Sequence, residues 1–157
     1  MARLRSIPHR LRRFAQLGAR RRAMLGEAVF WLAAARIALI AVPFPVLARR
    51  LGEFVPPTDP RVRGAGPGPA ANSAVAAEVG WAVTRAARYV PFRAVCLPQA
   101  MAARVMLRRR GVGSVLHFGA AKGAKRPIDT HAWLDAAGIE VTGYPVANGF
   151  AEIACFV

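Results

Sequence analysis

At Gly111 the spacing of apolar residues changes from a period near 3.6 to a period of 2, which commits the chain to helices followed by a sheet. Before the switch, PQAMAARVMLRRR (98–110) reads as one helix, with Cys96 one or two residues ahead of it. Pro98 suits its first helical position, where a missing N–H costs nothing. Arg108, Arg109 and Arg110 sit at the negative end of its dipole, and Gly111 suits the position after the last turn. After the switch, SVLHFGA (114–120), DTHAWLDA (129–136) and IEVTGYPV (139–146) alternate as strands, with a tight turn at Ala137-Gly138. FAEIACFV (150–157) is expected as a last strand, so the carboxy-terminal half reads as a helix followed by an antiparallel meander. The fold class expected is α+β: amino-terminal helices, then a Cys-bearing helix packed on a small antiparallel sheet.

Upstream, residues 1–54 form a basic and apolar helical region. Leu4, Ile7, Leu11 and Phe14 have helical spacing among eight arginines in residues 1–22, as a basic amphipathic helix or a solvated arm would. AMLGEAVFWLAAARIALIAVPFPVLARRLG (23–52) is apolar almost all round. Residues 28–48 are long enough to span a bilayer. Arg36 near their middle costs roughly 2.5–3.5 kcal/mol in that setting, and Pro43 and Pro45 end the helix early. A buried or surface-docked helix is the expectation, with membrane proximity as the alternative. VPPTDPRVRGAGPGPAANS (55–73) reads as a linker or long loop, its prolines and glycines arguing against a helix or central strand. Helical spacing resumes at 73–92, with Ser73 as expected N-cap and Pro91 as the stop. The core domain is expected over 74–157.

The charge balance narrows the partners. Twenty-three Lys+Arg against eight Asp+Glu leave +15, which favours anionic partners: nucleic acid, anionic lipid or an acidic polypeptide. A hydrophobic fraction of 55% excludes a disordered chain. Two cysteines, with no CxxC and no Cys/His cluster at metal spacing, argue against a disulfide scaffold or a structural zinc. No cofactor or metal is expected. The basic start lacks the pattern of a secretory signal, so a reduced, cytoplasmic setting is expected. GAAKGAKRP (119–127) lacks the GxxxxGK[ST] spacing of a phosphate loop.

The candidate chemistry centres on Cys96. Unpaired N–H groups and the positive dipole end of a helix favour a thiolate and can stabilise an oxyanion. The bland reading is a small core residue ahead of a helix. A nucleophilic thiol needs a base, and of the three histidines His9 lies in the basic arm while His117 and His131 fall on paired strands. THAWLD puts His131 and Trp133 on one strand face and Ala132 and Leu134 on the other. Trp133 is expected to shield the imidazole or pack the core; Gln99 is expected to point away from Cys96; Cys155 is read as core; the Arg108–Arg110 run is read as a solvated helix end.

Together, CLPQAMAARVMLRRRG, LHFGAAKG and HAWLDAAGIEVTGYPV resemble the transglutaminase-like cysteine peptidases that remove leader peptides in lasso-peptide biosynthesis. The resemblance covers roughly residues 78–157 and implies a papain/transglutaminase-like core. It implies Cys96 as nucleophile and His131 as general base, acting on a precursor peptide leader. Its implied partners are a separate leader-recognition protein and a macrolactam-forming cyclase, and no specific nucleic acid. The family's aspartate, about a dozen residues after the histidine, is absent: the chain has Thr142, Gly143 and Tyr144 there. Asp135 is ~13 Å along the strand from His131 at about 3.3 Å per residue, and Glu140 opposite it is as far. The orienting group is then a hydroxyl or backbone carbonyl near 142–144, or Asn148 or Glu152 brought round by the last segment, or absent; Asn148 is the reading favoured. An amine acceptor would make the same machinery a transglutaminase-type acyltransferase. The competing class is a basic, non-enzymatic nucleic-acid- or membrane-binding protein.

Overall fold

A computed structural model describes residues 16–63, 68–123 and 127–157. Most of the amino-terminal basic arm and residues 124–126 of the basic stretch GAAKGAKRP lie outside the described residues. The elements are α1 (Ala19–Ala41), α2 (Phe44–Leu51), β1 (Phe54–Val55), α3 (Pro60–Arg63), α4 (Ala70–Ala87), α5 (Cys96–Arg108), β2 (Val115–Lys122), β3 (Ile128–Ala136), β4 (Ile139–Thr142) and β5 (Ala151–Phe156). Helices packed on an antiparallel sheet make this the α+β architecture expected from the sequence.

The apolar run at 23–52 is two helices. Pro43 pushes the residue before it out of the helical region, and Val42 is extended at φ −120°, ψ 130°. α1 packs against α5 and α4, burying Met24, Leu25, Ala28, Leu32 and Ala35. By length and composition α1 would also cross a membrane, and its outer side exposes Val29, Phe30, Ile37 and Ile40.

Three sequence expectations are corrected here. The segment 55–73 carries regular structure: β1 joins the sheet edge through Phe54↔Phe156 and Val55↔Cys155, and Pro60 opens the single turn α3. Proline is tolerated at both places, after an edge strand and at a helix start. Secondly, α4 starts after Pro69, so Ser73 is not its cap; the Ser73 hydroxyl donates instead to the Ala137 carbonyl at 2.8 Å, holding the β3–β4 turn. That turn is the tight one expected, with Ala137 and Gly138 both at positive φ, 49° and 76°. Thirdly, the sheet is not a meander. Its order is β1-β5-β2-β3-β4, with β5 returning to the far edge of β2.

One core joins both halves: Leu32, Leu47, Val79, Val83, Met106, Leu107, Leu116, Leu134 and Phe156 belong to the same buried cluster. Arg104 ties α5 to the sheet by donating to the Ser114 and Phe156 carbonyls at 2.8 and 2.9 Å. Burial, with repulsion from Arg108, brings its pKa down to about 10.

The arginine run at the end of α5 is not merely solvated. Arg110 donates to both Glu27 oxygens at 2.6 and 3.2 Å, and Arg109 Nε donates at 3.2 Å, clamping α1 to α5. The Arg110 hydrogen bond holds the Glu27 pKa below its ordinary 4.5, against a smaller opposing effect of burial. A depressed folded value contributes stability above the unfolded pKa that is lost as pH falls through the folded one. Glu27→Gln is therefore expected to cost about 1 kcal/mol at neutral pH. In urea titrations the gap from wild type should close as pH falls below 4.5; a gap independent of pH would refute the clamp.

β4 carries an unpaired polar group. Thr142 is 2% exposed and its Oγ1 has no hydrogen-bond partner among the described residues. An orphaned buried hydroxyl is destabilising. Thr142→Val is thus expected to raise stability by about 1 kcal/mol, read as a higher urea midpoint at unchanged slope. A lower midpoint would mean that the hydroxyl is satisfied.

Candidate active site

Cys96 is the first residue of α5, half-buried, with extended Val95 before it and Pro98 in the first turn. Its thiol is free and makes no hydrogen bond among the described residues. The first-turn N–H groups of α5 have no intrahelical acceptors. Gln99 turns from the thiol, as expected: its Nε2 donates to the Ala94 carbonyl at 2.7 Å.

His131 lies on β3, opposite Gly119 of β2. Alternation sends Ala132, Leu134 and Ala136 into the helix-facing core, while His131, Trp133 and Asp135 project from the other face. There His131 stacks on Trp133 at 5.9 Å and touches Phe150 at 5.5 Å between ring centroids. No hydrogen bond joins it to Cys96 among the described residues. Its Nε2 donates to the Gly143 carbonyl at 2.6 Å. In the neutral ring that bond puts the proton on Nε2 and leaves the lone pair on Nδ1.

The group orienting His131 is thus a backbone carbonyl, one of the alternatives open in the sequence. Asn148, the favoured one, is exposed in the 148–149 turn and makes no bond to the imidazole. Glu152 is engaged elsewhere, as described below. Gly143 ends β4 at φ +86°, and a Cβ there would stand 2.5 Å from the Ala132 carbonyl oxygen and 2.8 Å from Trp133 Cα. Only glycine fits so close to β3, and this closeness delivers its carbonyl to His131.

Trp133 separates two histidines. Its other neighbour is His117, whose ring stacks parallel to it at 5.5 Å. His117 is 6% exposed and meets Glu152 through Nδ1, with Asp135 Oδ2 3.3 Å from Nε2. Burial opposes the charged ring, but the two carboxylates outweigh it and raise the His117 pKa. Cys155 Sγ lies 3.6 Å from His117 Nδ1 and 2.8 Å from Glu152 Oε1. Cys155 is core, as read from the sequence, and fully buried, but the fold also sets it against His117 and Glu152. The sequence reading missed this cluster because its members come from three strands and one of them depends on a bulge.

Residues 38–155 match the family described as the transglutaminase-like superfamily. The chain belongs to the transglutaminase-like superfamily. The match begins within α1, so the amino-terminal helices lie partly inside it and the Cys96 and His131 elements wholly so. No curated protein and no solved structure matches the chain. Membership in this superfamily fits the chemistry of cysteine peptidases and acyltransferases.

Proposed function

We propose that this protein is a cysteine peptidase that removes the leader from a ribosomally made lasso-peptide precursor. The observation that carries the reading is the half-buried, unengaged thiol of Cys96 at the start of α5 in a transglutaminase-like chain. Cys96 sulfur attacks the scissile carbonyl carbon, and the first-turn N–H groups receive the oxyanion. Collapse forms a thioester and expels the amine, which takes the proton that His131 accepted from the thiol. Water, deprotonated by His131, then attacks the thioester and releases the leader carboxylate and the free thiol. His131 occupies the sheet face turned from the helix core against which Cys96 packs, so the reading requires precursor binding to rearrange the site until His131 Nδ1 meets the Cys96 thiol.

The partners proposed follow from the same reading: the precursor leader, a separate leader-recognition protein and a macrolactam-forming cyclase. A cytoplasmic, membrane-associated location is proposed from the exposed Phe30, Ile37, Ile40, Phe44 and Val46, with exposed Arg20–Arg22 in the first turn of α1 and Arg49 and Arg50 in the last turn of α2. Flotation with anionic vesicles tests it, and failure to float at low salt would count against it.

Mass spectrometry of a precursor peptide, incubated with this protein and a leader-recognition protein, tests the activity. A single cut with water added to the new carboxyl is expected. An amine adduct instead would make the protein an acyltransferase, and no reaction would favour a basic binding protein. His131→Ala is expected to abolish the cut. The competing role is suggested by the sheet face that His131 occupies: holding Gly143 alone, in which case His131→Ala would lower stability and spare turnover.

A further inference from the structure

The Cys155 cluster lies outside the proposed catalytic pair, and a β-bulge creates it. His117 on β2 pairs directly with Cys155 on β5, so both point to the sheet face turned from α5. Glu152 is three residues before Cys155, a spacing that would send it to the opposite face of a regular strand. The register shifts at Phe118/Gly119, where Phe118 pairs with Ala154 and Gly119 with Glu152. Ile153 is the extra residue, 57% exposed. The bulge re-aims Glu152 onto the face of Cys155 and His117.

We infer that His117, Glu152 and Cys155 form a zinc site. Nδ1, a carboxylate oxygen and Sγ of the three all lie within 4.8 Å of one another. Ligands at about 2.0–2.3 Å from a tetrahedral zinc stand ~3.2–3.7 Å apart, and the His117–Cys155 separation of 3.6 Å already has that value. Glu152, with a side chain 30% exposed, is the ligand that must draw back to reach that spacing, since its Oε1 stands 2.8 Å from Cys155 Sγ. A thiolate, an imidazole and a carboxylate suit zinc among the common divalent ions.

Outer contacts support the same assignment. Metal-bound histidines usually present their second nitrogen to a carboxylate. Here Nε2 of His117 is buried, has no hydrogen-bond partner among the described residues and stands 3.3 Å from Asp135 Oδ2. Asp135 in turn accepts the Tyr144 hydroxyl, and Trp133 stacks on the ring. Asp135 and Tyr144 are thus positioning residues. Zinc binding releases the Cys155 thiol proton and the proton shared by His117 and Glu152 to solvent, leaving thiolate, neutral imidazole and carboxylate as ligands. The site clamps β5 to β2 and is independent of the peptidase reading.

The chelator-stripped full chain, titrated with Zn²⁺ and dialysed, should retain one equivalent by elemental mass spectrometry. Co²⁺ in its place should give thiolate-to-metal charge-transfer absorption. Cys155→Ser should lose that absorption and Cys96→Ala should keep it. Because Cys155 is buried, the partly exposed Glu152→Gln serves as a second variant, expected to fold and to weaken Zn²⁺ binding by more than about tenfold. No stoichiometric zinc in wild type, absorption surviving in Cys155→Ser, its loss in Cys96→Ala, or unchanged affinity in Glu152→Gln would each overturn the site.

Discussion

Replacing Cys96 by Ala is expected to lower precursor cleavage by at least about 10³-fold, the scale seen when a covalent nucleophile is removed. The fold should be nearly untouched. Cys96 is half-buried, makes no hydrogen bond and loses only one sulfur atom, so the stability change should stay within about 1 kcal/mol. These two readouts separate the catalytic role from the packing role. A thiol that merely fills space at the core edge would alter the melting temperature slightly and leave turnover alone. Cys155→Ala supplies the contrast: that residue is fully buried against His117, so its loss should affect stability and spare the attack on substrate.

Gly143→Ala is expected to cost about 3 kcal/mol, combining a left-handed backbone that Ala resists with overpacking. The colliding atoms are backbone, the Ala132 carbonyl and Trp133 Cα, so no side-chain rotation relieves them. Urea denaturation checks the stability. The consequence for chemistry is separate: if the Gly143 carbonyl sets the tautomer of His131, turnover should fall even at temperatures where the variant remains folded. Asn148→Ala is the control. Exposed and making no bond to the imidazole, it should change stability by no more than about 0.5 kcal/mol and leave turnover intact. Wild-type stability in Gly143→Ala would contradict the close approach, while loss of activity in Asn148→Ala would restore asparagine as the orienting group.

How much of this was legible in the sequence depended on whether the signal was local. The end of α5 before Gly111 and the hairpin at Ala137-Gly138 each rest on a few neighbouring residues, and were readable, whereas the start of α5, expected at Pro98, lies two residues earlier at Cys96. The position facing His131 was also readable within limits, because counting back from the hairpin put residues 142–144 there. That the group is a carbonyl and not an amide side chain was not. It depends on how closely Gly143 packs against β3, a tertiary distance with no local code. The return of β5 to the far side of β2 was equally hidden, since a strand pattern does not name its neighbour. With it went the His117, Glu152 and Cys155 cluster, which needs that crossover and the bulge at Ile153. The helix start at Ala70 was missed because Ser73 looked like a cap, while its hydroxyl serves the turn at Ala137, 64 residues away.

The most direct test of the central claim is to trap the covalent intermediate. The protein would be mixed with a precursor-derived peptide carrying an electrophile at the scissile carbonyl, then digested and mapped by tandem mass spectrometry. A single adduct on the Cys96 peptide, absent from Cys96→Ala and undiminished in Cys155→Ala, is the predicted result. An adduct on Cys155, or none on either cysteine with a peptide that the wild-type protein binds, would contradict Cys96 as the nucleophile.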